Sequence, residues 1–188
     1  LAVATYLNSF VRHCNTVKMA NLAQLVNVIA PIFTNEEGLF LQTIYHPLRL
    51  FSEYVQGTAL NVFVECETYS LPDATEPVPS SRRISDLGPF QLLDVTATLN
   101  EADNEIVLAV VNRDRERAHA TSIQLADDAV VTGGIAYEVN GANPEVVNSF
   151  EHRDNVSIKE HHLELGGSTI NYVFAPHSFT LLRLPFRR

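Results

Sequence analysis

The hydrophobic period of this chain changes at Gly57, from helical spacing before it to alternation after it. That switch restricts the fold to two kinds of material joined end to end. Before Gly57, Val3, Leu7, Phe10 and Cys14 fall on one side of a predicted amphipathic helix over residues 1–14. Ala4 and Val11 widen its stripe, and Asn15 fits its end. Pro47 is tolerated in the first turn of a helix. Leu48, Phe51 and Tyr54 then mark a second short helix that stops before Gly57. After Gly57, Leu60, Val62, Val64 and Cys66 alternate with Asn61, Glu65 and Glu67, with Phe63 breaking the polar face. Strong strands are predicted over 92–99 and 105–112, joined by the connection 100–104. Weaker ones cover 121–125, 135–139, 156–158, 163–165 and 172–174, and the last is 179–184. Asn140-Gly141 and Gly166-Gly167 are turn signals, and the Pro- and Ser-rich stretch 70–85 reads as an exposed loop. Short strands at this spacing suggest a β-sandwich or barrel.

Between the two helices runs VKMANLAQLVNVIAPIFTNEEGLFLQTIYHP, residues 17–47. Its apolar side chains fit a buried strand, a short helix, or one followed by the other, and periodicity does not choose between them. Residues 34–38 form a turn cluster. The run also carries Asn21, Gln24, Asn27 and Gln42, where a plain core segment would carry no amide. An unpaired buried amide costs roughly 1–3 kcal/mol, so the segment reads as scaffold that presents polar groups to something. Residues 1–56 are too short and too apolar to close a core alone, and must pack on the β-region or on chain upstream.

The chain has 188 residues and a formal charge of -9, from 13 Lys and Arg against 22 Asp and Glu. That field repels phosphate backbones and argues against a nucleic-acid partner. No apolar window reaches 18 residues, so no membrane span is expected. The two cysteines, Cys14 and Cys66, have no metal or redox spacing and read as two buried thiols. The histidines are scattered. His161 and His162, adjacent on a strand, would point to opposite faces, so no metal site is indicated. Glu36-Glu37 reads as a solvated turn. Glu65 and Glu67 share a strand face and mimic a catalytic pair, but a solvated sheet face is the simpler reading. His177-Ser178 lacks a partner acid and reads as a turn before the last strand. The chain opens on Leu1, directly in a helical pattern, which is expected of a piece of a longer protein.

Five blocks carry a resemblance: AVATYLNSFVRHCNTVKMANLAQLVNVIAPIFT (2–34), LQTIYHP (41–47), EIVLAVVNRD (105–114), NSFEHRDNV (148–156) and APHSFTLLRL (175–184). In this order they resemble the C-terminal third of the family 51 α-L-arabinofuranosidases. The first block is long and specific; the later ones are individually weak. The resemblance implies the end of a (β/α)8 barrel, its last helix–strand–helix, over residues 1–56. A C-terminal all-β sandwich of jelly-roll type would follow over 57–188. Residues 1–14 would then be the seventh barrel helix, 18–25 the eighth strand and 45–54 the eighth helix. The loop 26–45 would border the pocket, since barrel sites lie after strand C-termini. The family releases terminal arabinofuranose from arabinan and arabinoxylan with retention, using two glutamates on the fourth and seventh strands. Both would lie before Leu1, so no catalytic residue is assigned here, and no cofactor or metal is called for.

One substrate contact carries over by resemblance. A glutamine after the family's eighth strand hydrogen-bonds the arabinose ring, and it matches Gln42. An amide can donate to one hydroxyl and accept from another. The bland reading of Gln42 is a loop amide bonded to nearby backbone. A tryptophan and an arginine often precede that glutamine in the family; here Phe40 and Leu41 stand there, and the chain has no tryptophan. Asn21 and Gln24 are expected to cap loop backbone or support the site. His46 either lines the same pocket or is a surface or helix-capping residue. The resemblance further implies a homo-oligomer and a cytoplasmic location. The alternative is a non-catalytic β-sandwich, either a carbohydrate-binding or a structural, assembly module. The scattered tyrosines offer no aromatic platform for the sugar-binding version.

Overall fold

The computed structural model describes residues 1–71, 87–126 and 129–187. Most of the stretch 70–85, expected to be an exposed loop, lies outside them. The described residues are mostly β-sheet with two α-helices. Helix α1 (Ala2–Arg12) leads into residues 13–31, which form no regular element, and then a hairpin of β1 (Ile32–Asn35) and β2 (Gly38–Leu41). Helix α2 (Tyr45–Tyr54) follows, with Pro47 in its first turn as expected. The remaining strands are β3 (Thr58–Leu60), β4 (Thr68–Tyr69), β5 (Phe90–Gln91), β6 (Leu93–Asn100), β7 (Glu105–Asn112), β8 (His119–Gln124), β9 (Val130–Val131), β10 (Gly134–Asn140), β11 (Ser157–Leu163), β12 (Thr169–Phe174) and β13 (Phe179–Arg187).

The main sheet runs β11-β10-β13-β7-β6-β3 with β9 attached to β13, and its ladders are antiparallel. Its centre is buried on both faces, which explains the unbroken apolar run of β7. Successive side chains on a strand point to opposite faces. Val107, Ala109 and Val111 accordingly meet the helices, together with Leu50, Phe51, Phe179 and Leu181. Leu108 and Val110 face the other way and pack with Ile170 and Phe174 of the separate β8–β12 ladder. The result is three layers: helices, main sheet and small sheet. Full burial of a side chain such as Leu50 stabilises by roughly 1.5–3 kcal/mol. Phe51 stacks on Phe179 at 5.7 Å, and Tyr54 on Tyr137 at 5.0 Å. Gly57, where the period switches, has φ +85°, and a Cβ there would meet the Leu99 carbonyl oxygen at 2.2 Å. Only glycine turns the chain from helix into sheet at that point.

Polar contacts lock α1 onto this sheet. Asn8, fully buried, donates to the carbonyls of Asp94 (3.0 Å) and Ala109 (3.4 Å) and accepts from Thr96 Oγ1 at 2.8 Å. The nearly buried Asp94 carboxylate accepts from both Arg12 and Arg113.

Several expectations are corrected. The buried line of α1 is Ala4 and Asn8 with Leu7 and Val11 beside them, so Ala4, Leu7 and Val11 of the expected stripe meet the core while Phe10 and Cys14 do not. Asn8 finds partners in the sheet, so a polar residue occupies the contact and Phe10 turns outward. Cys14 is exposed rather than buried, because the helix stops at Arg12 and Cys14 lies beyond it. Residues 18–25, expected as a strand, form no ladder here. A strand needs neighbours to pair with, and positive φ at Gln24, Asn27 and Val28 breaks the extended path. Of the alternation expected at 60–66 only its second half appears in burial, with Val64 and Cys66 half-buried while Leu60 and Val62 are exposed, and the pairing of β3 stops at Leu60. In place of two separate strands at 156–158 and 163–165, a single strand, β11, spans Ser157–Leu163.

Candidate functional site

Gln42 lies between the β1–β2 hairpin and α2. Its amide N–H donates to the Pro31 carbonyl (2.8 Å), and its carbonyl accepts from Tyr45 N–H (2.9 Å) in the first turn of α2. The side chain is half-buried, and among the described residues it has one long contact, Thr43 N–H to Oε1 at 3.4 Å. It faces an open cleft of about 210 Å³ lined by Val28, Ile29, Ala30, Phe33, Gln42 and Ile44. Gln42 is the polar side chain of that lining; the rest are apolar. The arrangement suits a neutral, hydroxyl-rich ligand approached from one edge by an amide.

Beside the cleft runs a broad apolar strip. Met19 is 78%, Val28 74%, Ile29 69% and Leu25 68% exposed, with Leu22 and Val26 also open. On the neighbouring helix, Tyr6 and Phe10 point outward. An exposed apolar surface of this extent marks a contact surface. Asn21 and Gln24 sit in this strip, exposed and without a hydrogen bond among the described residues, so the backbone capping expected of them is not made. Asn27 does hold backbone: its Oδ1 accepts from Thr34 N–H at 2.7 Å and ties the loop to β1.

His46 is not in the cleft. It is buried, and Nε2 donates to the Val156 carbonyl at 3.0 Å. Burial pushes its imidazole below the ordinary value, with the Val156 hydrogen bond opposing. Glu65 and Glu67 are both exposed, and Glu67 pairs with Arg117 at 2.8 Å, which holds its carboxyl below the usual range. Asp114 follows β7 at the same end of the sheet as the β10–β11 connection, and its carbonyl accepts from His177 N–H at 2.7 Å. Burial opposes its ionisation, yet the amides of Glu116 and Arg117, the His119 ring and the Arg117 guanidinium hold its carboxyl well below the usual range. The Ser178 hydroxyl donates to the Ala175 carbonyl at 2.7 Å, and His177 bonds the Arg115 carbonyl at 2.8 Å; they form a turn and not a nucleophile pair.

The residue that sequence reasoning missed is Asn148. It lies in the β10–β11 connection, is buried, and its amide reaches the hairpin: Nδ2 donates to the Leu41 carbonyl at 2.8 Å. Its only sequence signal was membership of the block NSFEHRDNV.

The comparisons with known proteins agree with this architecture. Residues 1–178 match a family described as the α-L-arabinofuranosidase C-terminal domain. The chain is 37% identical over 183 residues to a probable α-L-arabinofuranosidase C of Aspergillus terreus, covering 97% of this chain and 33% of that protein. An intracellular exo-α-(1→5)-L-arabinofuranosidase of Halalkalibacterium halodurans is 35% identical over 114 residues, or 60% of this chain and 20% of that protein. Among solved structures, the GH51 arabinofuranosidase of Xanthomonas axonopodis pv. citri superposes with TM-score 0.79 at 21% identity. That match covers 97% of this chain and 34% of that one. The α-L-arabinofuranosidase of Thermotoga maritima, solved with arabinose, gives TM-score 0.76 at 23% identity, covering 96% and 37%. The chain therefore belongs to the α-L-arabinofuranosidase family and corresponds to its C-terminal domain. It spans about a third of the length of the curated relatives it matches.

Proposed function

We propose that this chain is the C-terminal part of a retaining α-L-arabinofuranosidase that releases terminal arabinofuranose from arabinan or arabinoxylan oligosaccharides. Residues 1–56 close its catalytic barrel, and residues 57–188 form its jelly-roll sandwich. In a retaining mechanism two carboxyl groups stand about 5–5.5 Å apart, one as nucleophile and one as acid/base. Those glutamates belong to the part of the relatives that this chain does not match. Within the chain, Gln42 donates to and accepts from hydroxyls of the arabinose ring. The complete protein works in the cytoplasm, by analogy with the Halalkalibacterium relative, which is named intracellular, and it assembles as a homo-oligomer, as the family resemblance implies.

The observation that carries this reading is the strip Met19–Ile29: strongly apolar, open to solvent, and continuous with the Gln42 cleft through Val28 and Ile29. It is what the flank of an unfinished barrel looks like. Hydrolysis of p-nitrophenyl α-L-arabinofuranoside tests the proposal. The complete protein turns it over and the 188-residue chain alone does not. In the complete protein Gln42→Ala lowers kcat/KM by the equivalent of about 1–3 kcal/mol. Turnover by the clean 188-residue chain, or an unchanged kcat/KM in the variant, contradicts it.

A further inference from the structure

Among the described residues the Gln42 side chain has only the long contact from the adjacent Thr43 N–H, so its position depends on the backbone on either side. Both sides lead to one node. Leu41, directly before it, gives its carbonyl to Asn148 Nδ2 at 2.8 Å. His46, four positions after it, donates through Nε2 to the Val156 carbonyl at 3.0 Å. Asn148 is bonded to that same residue twice: Nδ2 donates to the Val156 carbonyl at 2.8 Å, and Oδ1 accepts from the Val156 N–H at 2.8 Å. The amide is buried, and both its amide hydrogens are committed to carbonyls. The segment around it grips the hairpin as well. The Phe150 ring meets Phe40 edge-on at 4.8 Å, and Arg153 Nη2 reaches the Glu37 carbonyl at 3.4 Å. Phe40 in turn stacks on Phe33, which lines the cleft.

We infer that Asn148 is a positioning residue: from the sandwich it fixes the Leu41–His46 segment and thereby aims the Gln42 amide into the cleft. The inference rests on the reading of Gln42 as a sugar contact. It adds that the β-sandwich takes part in the site through one buried amide rather than acting as a passive support. A side chain with this role should be sensitive to donor loss at constant shape. Asn148→Asp provides that change, since the carboxylate still accepts from Val156 N–H but faces two carbonyl oxygens where a donor stood.

Two measurements decide it. In the 188-residue chain, amide exchange by NMR is compared between wild type, Asn148→Asp and Asn148→Ala. The Gln42 N–H, bonded to Pro31, should exchange at least about tenfold faster in both variants, while the β7 amides of Val107–Val111 keep their rates. Unchanged exchange at Gln42, or equal acceleration through β7, overturns the inference, the latter by showing general destabilisation. In the complete protein, kcat/KM for the arabinofuranoside is measured in a double-mutant cycle. Asn148→Asp alone should lower it about ten- to a hundredfold, a loss typical of a misplaced contact. In the Gln42→Ala background the same change should cost little, because its effect passes through Gln42. Additive losses overturn the inference. Wild-type protein without arabinofuranosidase activity would instead defeat the proposed function, and the exchange experiment would still decide whether Asn148 positions Gln42.

Discussion

Asn8 is a polar residue where the helical pattern asks for an apolar one, and it holds α1 to the sheet by three hydrogen bonds. Truncation leaves the buried Thr96 hydroxyl without its acceptor and strips the Asp94 and Ala109 carbonyls of the donor they share beyond the β6–β7 ladder. Asn8→Ala should therefore lower the stability of the chain by about 1–3 kcal/mol in urea unfolding. His46 carries a pH dependence of definite sign. Its imidazole is pushed below the ordinary 6.5 by burial, so the unfolded chain takes up the proton first. The contribution of the neutral ring is present above pH 6.5 and is lost as the pH falls toward the folded value. Melting temperature should decline more steeply from pH 6.5 to 5 in wild type than in His46→Gln, whose amide can still donate to Val156. A flat wild-type profile over that range would contradict this.

Elements were legible where their own residues decide them. Strands β6 and β7 announced themselves by a β-branched, partly alternating stretch and an unbroken apolar run on either side of a polar connection, and α2 by Pro47 followed by Leu48, Phe51 and Tyr54. The hairpin did not. Each of its strands has four residues, and Phe33, Phe40 and Leu41 merge with the surrounding apolar run, leaving only the turn cluster 34–38 to show. Gln42 was proposed through a family resemblance. Asn148 could not be, since its partner Leu41 is 107 positions away and no local pattern encodes that contact. The apolar face of 17–29 was legible in character but not in conformation, because a strand is completed by its neighbours. That gives a test at this scale. Leu25→Ser with Ile29→Ser removes side chains that are open to water in this chain, so its own stability should change by less than about 0.5 kcal/mol. The same pair in the complete protein, where the proposal buries them, should cost several times more or abolish soluble expression.

At the scale of the whole molecule, one sheet serves two layers. Its inner face buries the β8–β12 ladder, and its other face carries α1 and α2 through a shared core that includes Leu50, Phe51 and Phe179. The helical part thus has a sandwich-facing side already satisfied and a second side, with Tyr6, Phe10 and Met19–Ile29, left open. On the proposed reading the sandwich carries the closing barrel unit as a preassembled edge and, through Asn148, sets the Gln42 rim. Hydrogen–deuterium exchange across residues 17–29, compared between this chain and the complete protein, tests that account most directly. The account predicts fast exchange in the chain alone and strong protection in the complete protein, as the segment pairs with barrel strands on both sides. Equally fast exchange in both would contradict it.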